Sequence, residues 1–246
     1  MDRLENLKNI IMYLMADEHV SHRIPSTLEE RQRMMRALMN VWEPRLITED
    51  FLTMQDAELL MQREDKGVVE FHDEGLTIWQ GDITRLKVDA IVNAANAQAL
   101  GCWAPLHNCI DNCIHSAAGI QLRKECADKM QGRLLATGDA FITQGYNLPA
   151  RHVIHTVGPI IPDGIPTKEQ EEQLAQCYRS CLDLAEQNGL ESIAFCCIST
   201  GVFHFPNELA ARIAIETVKS YPRHALKTIV FNVFLDKDRN IYQQLL

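Results

Sequence analysis

The sequence lacks any apolar run approaching the ~18 residues of a membrane-spanning helix. It also lacks a basic excess: 24 Lys and Arg stand against 33 Asp and Glu in 246 residues, a net charge of −9. The first absence excludes a spanning helix. The second disfavours binding to nucleic acid through a basic face. The opening stretch MDRLENLKNIIMYLMADE carries acids at Asp2 and Glu5 and no small-residue cleavage site. It does not read as a secretory signal, and the expected location is the cytoplasm. Internal repeats and low-complexity segments are also missing. With 46% hydrophobic and 23% charged residues, the composition is that of a globular protein rather than a disordered or collagen-like one. Cysteine is plentiful, with eight residues that include the adjacent pair Cys196–Cys197. In a chain of this size without a secretory signal, free thiols, metal binding or catalysis come before crosslinking.

Two regions differ in periodicity. Over residues 1–67, Leu4, Leu7, Ile10, Ile11 and Leu14 repeat at helical spacing. Ser26 and Glu29 have capping-box spacing ahead of Met34, Met35, Leu38 and Met39, Pro44 stops that helix, and a third helix starts near Thr48. Short amphipathic helices bury little core alone, so this extension is expected to cap the remainder rather than fold independently. From residue 68 onward, β-rich runs at 68–72, 76–80, 90–94, 140–143, 152–157, 193–198 and 228–234 alternate with helical stretches near 112–130, 168–188 and 207–220. Near-continuous apolar strands alternating with helices predict an α/β sheet covered on both faces. The loop at 159–167 carries three prolines and a glycine and is expected at the surface.

Four segments fall at the ends of predicted strands, where open α/β folds place ligands. They are Gly81-Asp82-Ile83-Thr84, Asn93-Ala94-Ala95-Asn96, the run from Ile110 to Gly119, and Ser199-Thr200-Gly201-Val202-Phe203. Each alone is a weak signal. In this order, with Val153 to Pro159 (VIHTVGP) between the third and the fourth, they resemble the macrodomain family over residues 68–246. That resemblance implies a three-layer α/β/α macrodomain with a mixed central sheet, preceded by the helical extension, and ADP-ribose as ligand.

The residue chemistry agrees with that ligand. Asp82 can accept the adenine amino group while the Ile83 backbone contacts the ring, although an Asp there also caps turns. By resemblance, Asn93 and Asn96 face the distal ribose, which carries the scissile bond. Backbone N–H groups around Gly201 can cradle a diphosphate without side-chain charge. This extends across Ser199, Thr200, Gly201, Val202 and Phe203, with Phe203 stacking on or walling off the distal ribose. Asp111 matches an acidic residue that orients or activates water in hydrolytic macrodomains, with Asn112 in place of the usual glycine. Gly138, Thr143, Cys113, His115, His152 and His155 are expected to pack or orient, and Cys126, Cys177, Cys181, Cys196 and Cys197 to lie in the core.

One loop departs from the ordinary pattern. Where most macrodomains carry glycines, this chain has Gly101-Cys102-Trp103-Ala104-Pro105-Leu106-His107-Asn108-Cys109. Two thiols and an imidazole in a C-x4-H-x-C arrangement are a soft donor set suited to zinc, and three ligands leave one position open. The loop resembles that of the zinc-dependent macrodomain subgroup, in which the residues matching Cys102, His107 and Cys109 hold Zn²⁺. The expected activity is zinc-dependent removal of mono-ADP-ribose from acidic side chains, aspartate foremost, with Asn93, Asn96 and Asp111 at the reacting end. By the same resemblance, the protein substrate is a lipoyl-carrier protein modified by a sirtuin-type transferase. A non-catalytic ADP-ribose reader and an O-acetyl-ADP-ribose deacetylase are the alternatives.

Overall fold

The computed structural model describes residues 2–246. The N-terminal periodicity appears as three helices, α1 (Arg3–Asp17), α2 (Leu28–Val41) and α3 (Glu49–Lys66). Asp2, Thr27 and Thr48 each accept from the N–H three residues on, satisfying a donor that the first helical turn leaves free. The second cap falls one residue beyond the expected Ser26–Glu29 pair. Thr27 accepts from the Glu30 N–H at 3.3 Å and donates its hydroxyl to the Glu30 carboxylate at 2.7 Å. Both registers have the right spacing; the observed one accompanies burial of Met35, Leu38 and Met39. Leu7, Ile10, Ile11 and Leu14 are fully buried and join Met35, Leu38, Met39, Trp42, Phe51 and Leu59 in a separate core. That core includes Ile120 from the α/β part.

The α/β part has strands β1 (Val69–Glu70), β2 (Gly75–Gln80), β3 (Leu86–Lys87), β4 (Ala90–Ala94), β5 (Ala140–Gln144), β6 (His152–Thr156), β7 (Ser192–Phe195) and β8 (Thr228–Val233). Its helices are α4 (Ile110–Ala118), α5 (Ile120–Met130), α6 (Lys168–Gln187), α7 (Asn207–Ser220) and α8 (Asp236–Leu245). The main sheet has the order β2-β8-β7-β4-β6-β5 and is parallel throughout except for the antiparallel edge pair β5–β6. Along this order the connections through α6 and α7 step one way and the connection through α4 and α5 steps the other. α6 and α7 pack together as one flanking group, and α4 and α5 as another. α2 and α3 pack on α4 and extend that layer.

Three local expectations change. The run at 68–72 yields only β1, paired with β3 in a small side ladder, because β8 takes β2 as its neighbour at that edge of the main sheet. The single helix expected at 112–130 is α4 followed by α5, broken at Gly119. There φ is +103°, and a Cβ would lie 2.7 Å from the Gln55 amide nitrogen and 2.4 Å from Gln121 Oε1. α8 was not anticipated, because only Asp238 and Tyr242 of its ten residues are buried and its apolar stripe is thin.

Candidate active site

Parallel strands bring the carboxyl ends of β2, β4, β6, β7 and β8 to one edge of the sheet, where such folds bind ligands. The segment after β2 is a short 3-10 turn at Ile83–Arg85 capped by Asp82. Asp82 Oδ1 accepts from the Thr84 N–H at 3.0 Å and from the Thr84 hydroxyl at 2.6 Å. Its Oδ2 pairs with Lys66 of α3 at 3.2 Å. Burial alone would raise the Asp82 carboxyl, but the Lys66 charge and the Thr84 bonds outweigh it, and its pKa is lowered. Ile83 is buried.

β4 ends in a buried polar chain. Thr143 donates its hydroxyl to the Val153 carbonyl at 3.3 Å, so its lone pairs face His155 Nε2 at 3.0 Å. A carbonyl cannot donate, so the proton between Thr143 and His155 sits on Nε2. His155 Nδ1 is then an acceptor and takes an amide N–H of Asn93 at 3.1 Å. The other Asn93 N–H goes to Asp111 Oδ1 at 2.8 Å. Both amide protons are thereby committed. Asn93 Oδ1 is buried and has no partner among the described residues. Burial lowers His155 to about 3 and raises Asp111 to about 6, against the Asn93 bond and the Arg123 charge. His115 Nε2 lies 3.6 Å from Asp111 Oδ1, and among the described residues neither of its ring nitrogens has a hydrogen-bond partner. Burial, followed by His155 and Arg123, holds its pKa well below the ordinary value.

Asn96 makes the turn that leads into the departing loop. Its Oδ1 accepts from the N–H groups of Gln98 and Ala99 at 3.0 and 3.2 Å, and its Nδ2 donates to the Gly101 carbonyl at 3.4 Å. Gly101 packs on His115, whose ring carbon would lie 2.8 Å from any Cβ placed there. The loop brings Cys102 Sγ to 3.7 Å from His107 Nδ1, and Cys109 Sγ caps α4 by accepting from the Asn112 N–H at 3.4 Å. Tetrahedral zinc, at ~2.3 Å from sulfur and ~2.0 Å from nitrogen, needs ligand atoms roughly 3.5 Å apart. Burial, the Asn112 N–H and the neighbouring Cys102 leave the Cys109 thiol at about 12, so two thiolates side by side here call for a cation.

Among the described residues, two groups of side chains could hold a metal ion: Cys102, His107 and Cys109, and the buried His115, Cys126 and His155, the ligand atoms of each group lying within 4.8 Å of one another. The loop group is half-exposed, whereas in the buried group both His155 nitrogens already serve Asn93 and Thr143. All eight cysteines are free thiols.

After β7, Ser199 turns the chain at φ +65°. Its buried hydroxyl sits against Gly158, where a Cβ would come within 2.0 Å of Ser199 Oγ. At Gly201, by contrast, a Cβ would meet nothing within 4 Å, so the fold itself leaves open space beside this residue. Among the described residues no backbone group bonds the N–H of Gly201, Val202 or Phe203. Thr200 bonds the Cys197 carbonyl, and the Phe203 carbonyl accepts from Ile161.

The Macro domain family model matches residues 92–214, which span β4 to α7. A protein-ADP-ribose hydrolase of Staphylococcus aureus (strain MSSA476) is 44% identical over 260 residues, covering 99% of this chain and 97% of its own. One from Treponema medium is 46% identical over 252 residues, covering 96% of each. This chain belongs to the macrodomain family. Among solved structures, an Oceanobacillus iheyensis macrodomain with ADP matches at TM-score 0.63 and 40% identity, over 70% of this chain and 90% of that one. A Trypanosoma brucei macrodomain in complex with ADP-ribose matches at TM-score 0.65 and 29% identity, over 89% of this chain and 96% of that one.

Two features at this edge of the sheet went beyond the sequence reading. Phe234, 70% exposed, follows β8 beside the Gly81–Asp82 turn; Gln80 of β2 donates to its carbonyl at 3.1 Å. In sequence it looks like the last core residue of a strand, and only its exposure marks it. Lys66 was also missed, since its partner Asp82 lies 16 residues on, beyond any local pattern. No helix among the described residues is long and apolar enough to cross a membrane.

Proposed function

We propose that the protein is a hydrolase that removes mono-ADP-ribose from acidic side chains of modified proteins, aspartate foremost, with zinc held by Cys102, His107 and Cys109. The observation that carries this reading is a juxtaposition. The soft-donor loop starts at Gly101, one hydrogen bond from Asn96 and in packing contact with His115, beside the Asn93–Asp111 pair. A module that only bound ADP-ribose would need no such donor set there.

In this reading Asp82 and the Ile83 backbone hold the adenine, with exposed Phe234 available to stack on it. The N–H groups of Gly201, Val202 and Phe203 receive the diphosphate, which suits a chain of net charge −9. Phe203 closes the ribose end. The unpartnered Asn93 Oδ1 accepts a distal-ribose hydroxyl, its amide held in that orientation by Asp111 and His155. Asn96 keeps the loop against the ribose. Asp111, with a pKa of about 6, is ionised near neutrality and can take a proton from water or a ribose hydroxyl. Cys102, His107 and Cys109 would hold the zinc, which when bound would supply Lewis-acid chemistry at the reacting end. The protein substrate that fits the resemblance is a lipoyl-carrier protein bearing ADP-ribosyl-aspartate.

The test is metal analysis of the purified protein together with hydrolysis of aspartyl-, glutamyl-, seryl- and arginyl-ADP-ribose, before chelation, after it, and after zinc is returned. Release from the acidic linkages that disappears on chelation and returns with zinc is the expected result. Tight ADP-ribose binding without release from any linkage would leave a reader, and turnover confined to O-acetyl-ADP-ribose would leave a deacetylase.

A further inference from the structure

We propose that α2 is a positioning element for the loop Gly101–Cys109, with Arg36 and Asn40 as its working residues, so that the helical extension forms one wall of the metal site. This inference rests on the reading of the loop as a zinc site.

The loop has no helix or strand of its own, and Ala104, Pro105, His107 and Asn108 are exposed. Burial therefore cannot fix its three ligand atoms; the polar contacts do. Arg36 Nη2 donates to the His107 carbonyl at 2.8 Å and to Asn112 Oδ1 at 2.8 Å, while its Nε reaches the same Oδ1 at 3.2 Å. Asn112, so oriented, donates through Nδ2 to the Ala104 carbonyl at 3.0 Å. Asn40 Oδ1 accepts the Leu106 N–H at 2.9 Å, and its amide is locked by donation to Ser116 Oγ at 3.0 Å. Leu106 has φ +59°, a left-handed conformation that leucine keeps only when its surroundings impose it. It immediately precedes His107.

The other end of the loop is tied to the same helix through one arginine. Arg123 donates to the Cys102 carbonyl at 3.3 Å and lies 4.1 Å from the Trp103 ring centre. Its guanidinium is in turn held by the Asn40 and Trp42 carbonyls at the end of α2, both at 2.9 Å. The backbones of Cys102 and His107 are thus fixed by α2 directly or at one remove. Ligands already ordered need not be ordered when the metal binds, and partners behind the ligands commonly weigh ~10–100-fold in metal affinity.

The test uses the full-length protein and measures zinc release to a chromophoric chelator and the visible spectrum of the cobalt-substituted form. Arg36→Ala should release zinc at least ~10-fold faster, with a changed cobalt spectrum. Arg36→Lys should recover part of this, because one ammonium replaces a fork that serves two acceptors. Arg45→Ala is the control. Arg45 pairs with Asp17 and Glu18 within the same extension and makes no bond to the loop, so its zinc release should match the wild type. If Arg36→Ala fails to fold, Arg36→Lys must still release zinc faster than the wild type. Zinc release and a cobalt spectrum unchanged in the Arg36 variants overturn the proposal, as does an Arg45→Ala effect of equal size. A wild-type protein without zinc removes the metal reading as well, a different result from a wild type that holds zinc and Arg36 variants that hold it equally well.

Discussion

His155 and Asp111 give the site a pH signature that can be worked out residue by residue. In the unfolded chain a histidine takes up its proton below about 6.5. In the fold, burial keeps His155 neutral to about 3 and holds His115 well below its ordinary value. Their depressed values favour unfolding as pH falls below about 6.5. Asp111 acts the other way: raised to about 6, it stays protonated in the fold between about pH 4 and 6, where the unfolded carboxyl has lost its proton. Across that window the unfolded chain takes up histidine protons that the fold refuses, while the fold alone keeps the Asp111 proton; with two histidines against one carboxyl, stability falls on acidification. Urea titrations at a series of pH values should show this fall, and His155→Gln should flatten it; an unaltered slope would place the acid sensitivity elsewhere. At the same scale, Asn96→Ala removes the cap on Gln98 and Ala99 and the bond to Gly101. Turnover should fall at least ~10-fold with zinc retained, because a reacting group displaced by about 1 Å can cost ~100-fold. Loss of the metal in that variant would make Asn96 a support for the loop alone.

Among the elements, those specified by near neighbours were readable in advance. Thr48 caps α3 where its sequence placed it, and Pro44 follows the end of α2. The strand runs at 90–94, 140–143 and 152–157 lie within or closely match β4, β5 and β6. The Gly119 break was harder, because a glycine inside a helical pattern reads equally well as a tolerated residue. Its positive φ and its contact with Gln55 of α3 are tertiary facts. Gly119→Ala should therefore cost about 1–3 kcal/mol of stability in urea denaturation, the range for a residue forced into such backbone geometry. A neutral substitution would show that α4 and α5 can join as one helix. The four motif segments were legible as an ordered set, and the structure gathers them at one edge of the sheet. The inner chain from Thr143 through His155 to Asn93 was not legible: its members come from three strands, and their roles depend on which nitrogen carries a proton. Arg36 and Asn40 were equally hidden, since their partners lie 66 to 77 residues away.

Over the whole molecule, the helical extension and the α/β part share more than a surface. The core of α1–α3 includes Ile120, Gln55 caps the Ile120 N–H at 3.0 Å, and Arg123 is buried against the end of α2. The chain should unfold in one cooperative transition, followed by circular dichroism and tryptophan fluorescence together, and limited proteolysis should leave the extension attached. A separate early transition confined to residues 1–67 would show an independent domain instead. In the proposed function, adenine and diphosphate fall to the segments after β2 and β7 and the metal to the loop after β4, so binding and hydrolysis can be separated. The most direct test is to compare wild-type protein with Cys102→Ala, measuring zinc content, ADP-ribose affinity and hydrolysis of ADP-ribosyl-aspartate on the same samples. The variant should lose the metal and at least ~100-fold in hydrolysis while keeping ADP-ribose affinity within a few-fold. A zinc-free Cys102→Ala protein that cleaves at the wild-type rate would instead leave Asp111 and a positioned water to carry the reaction.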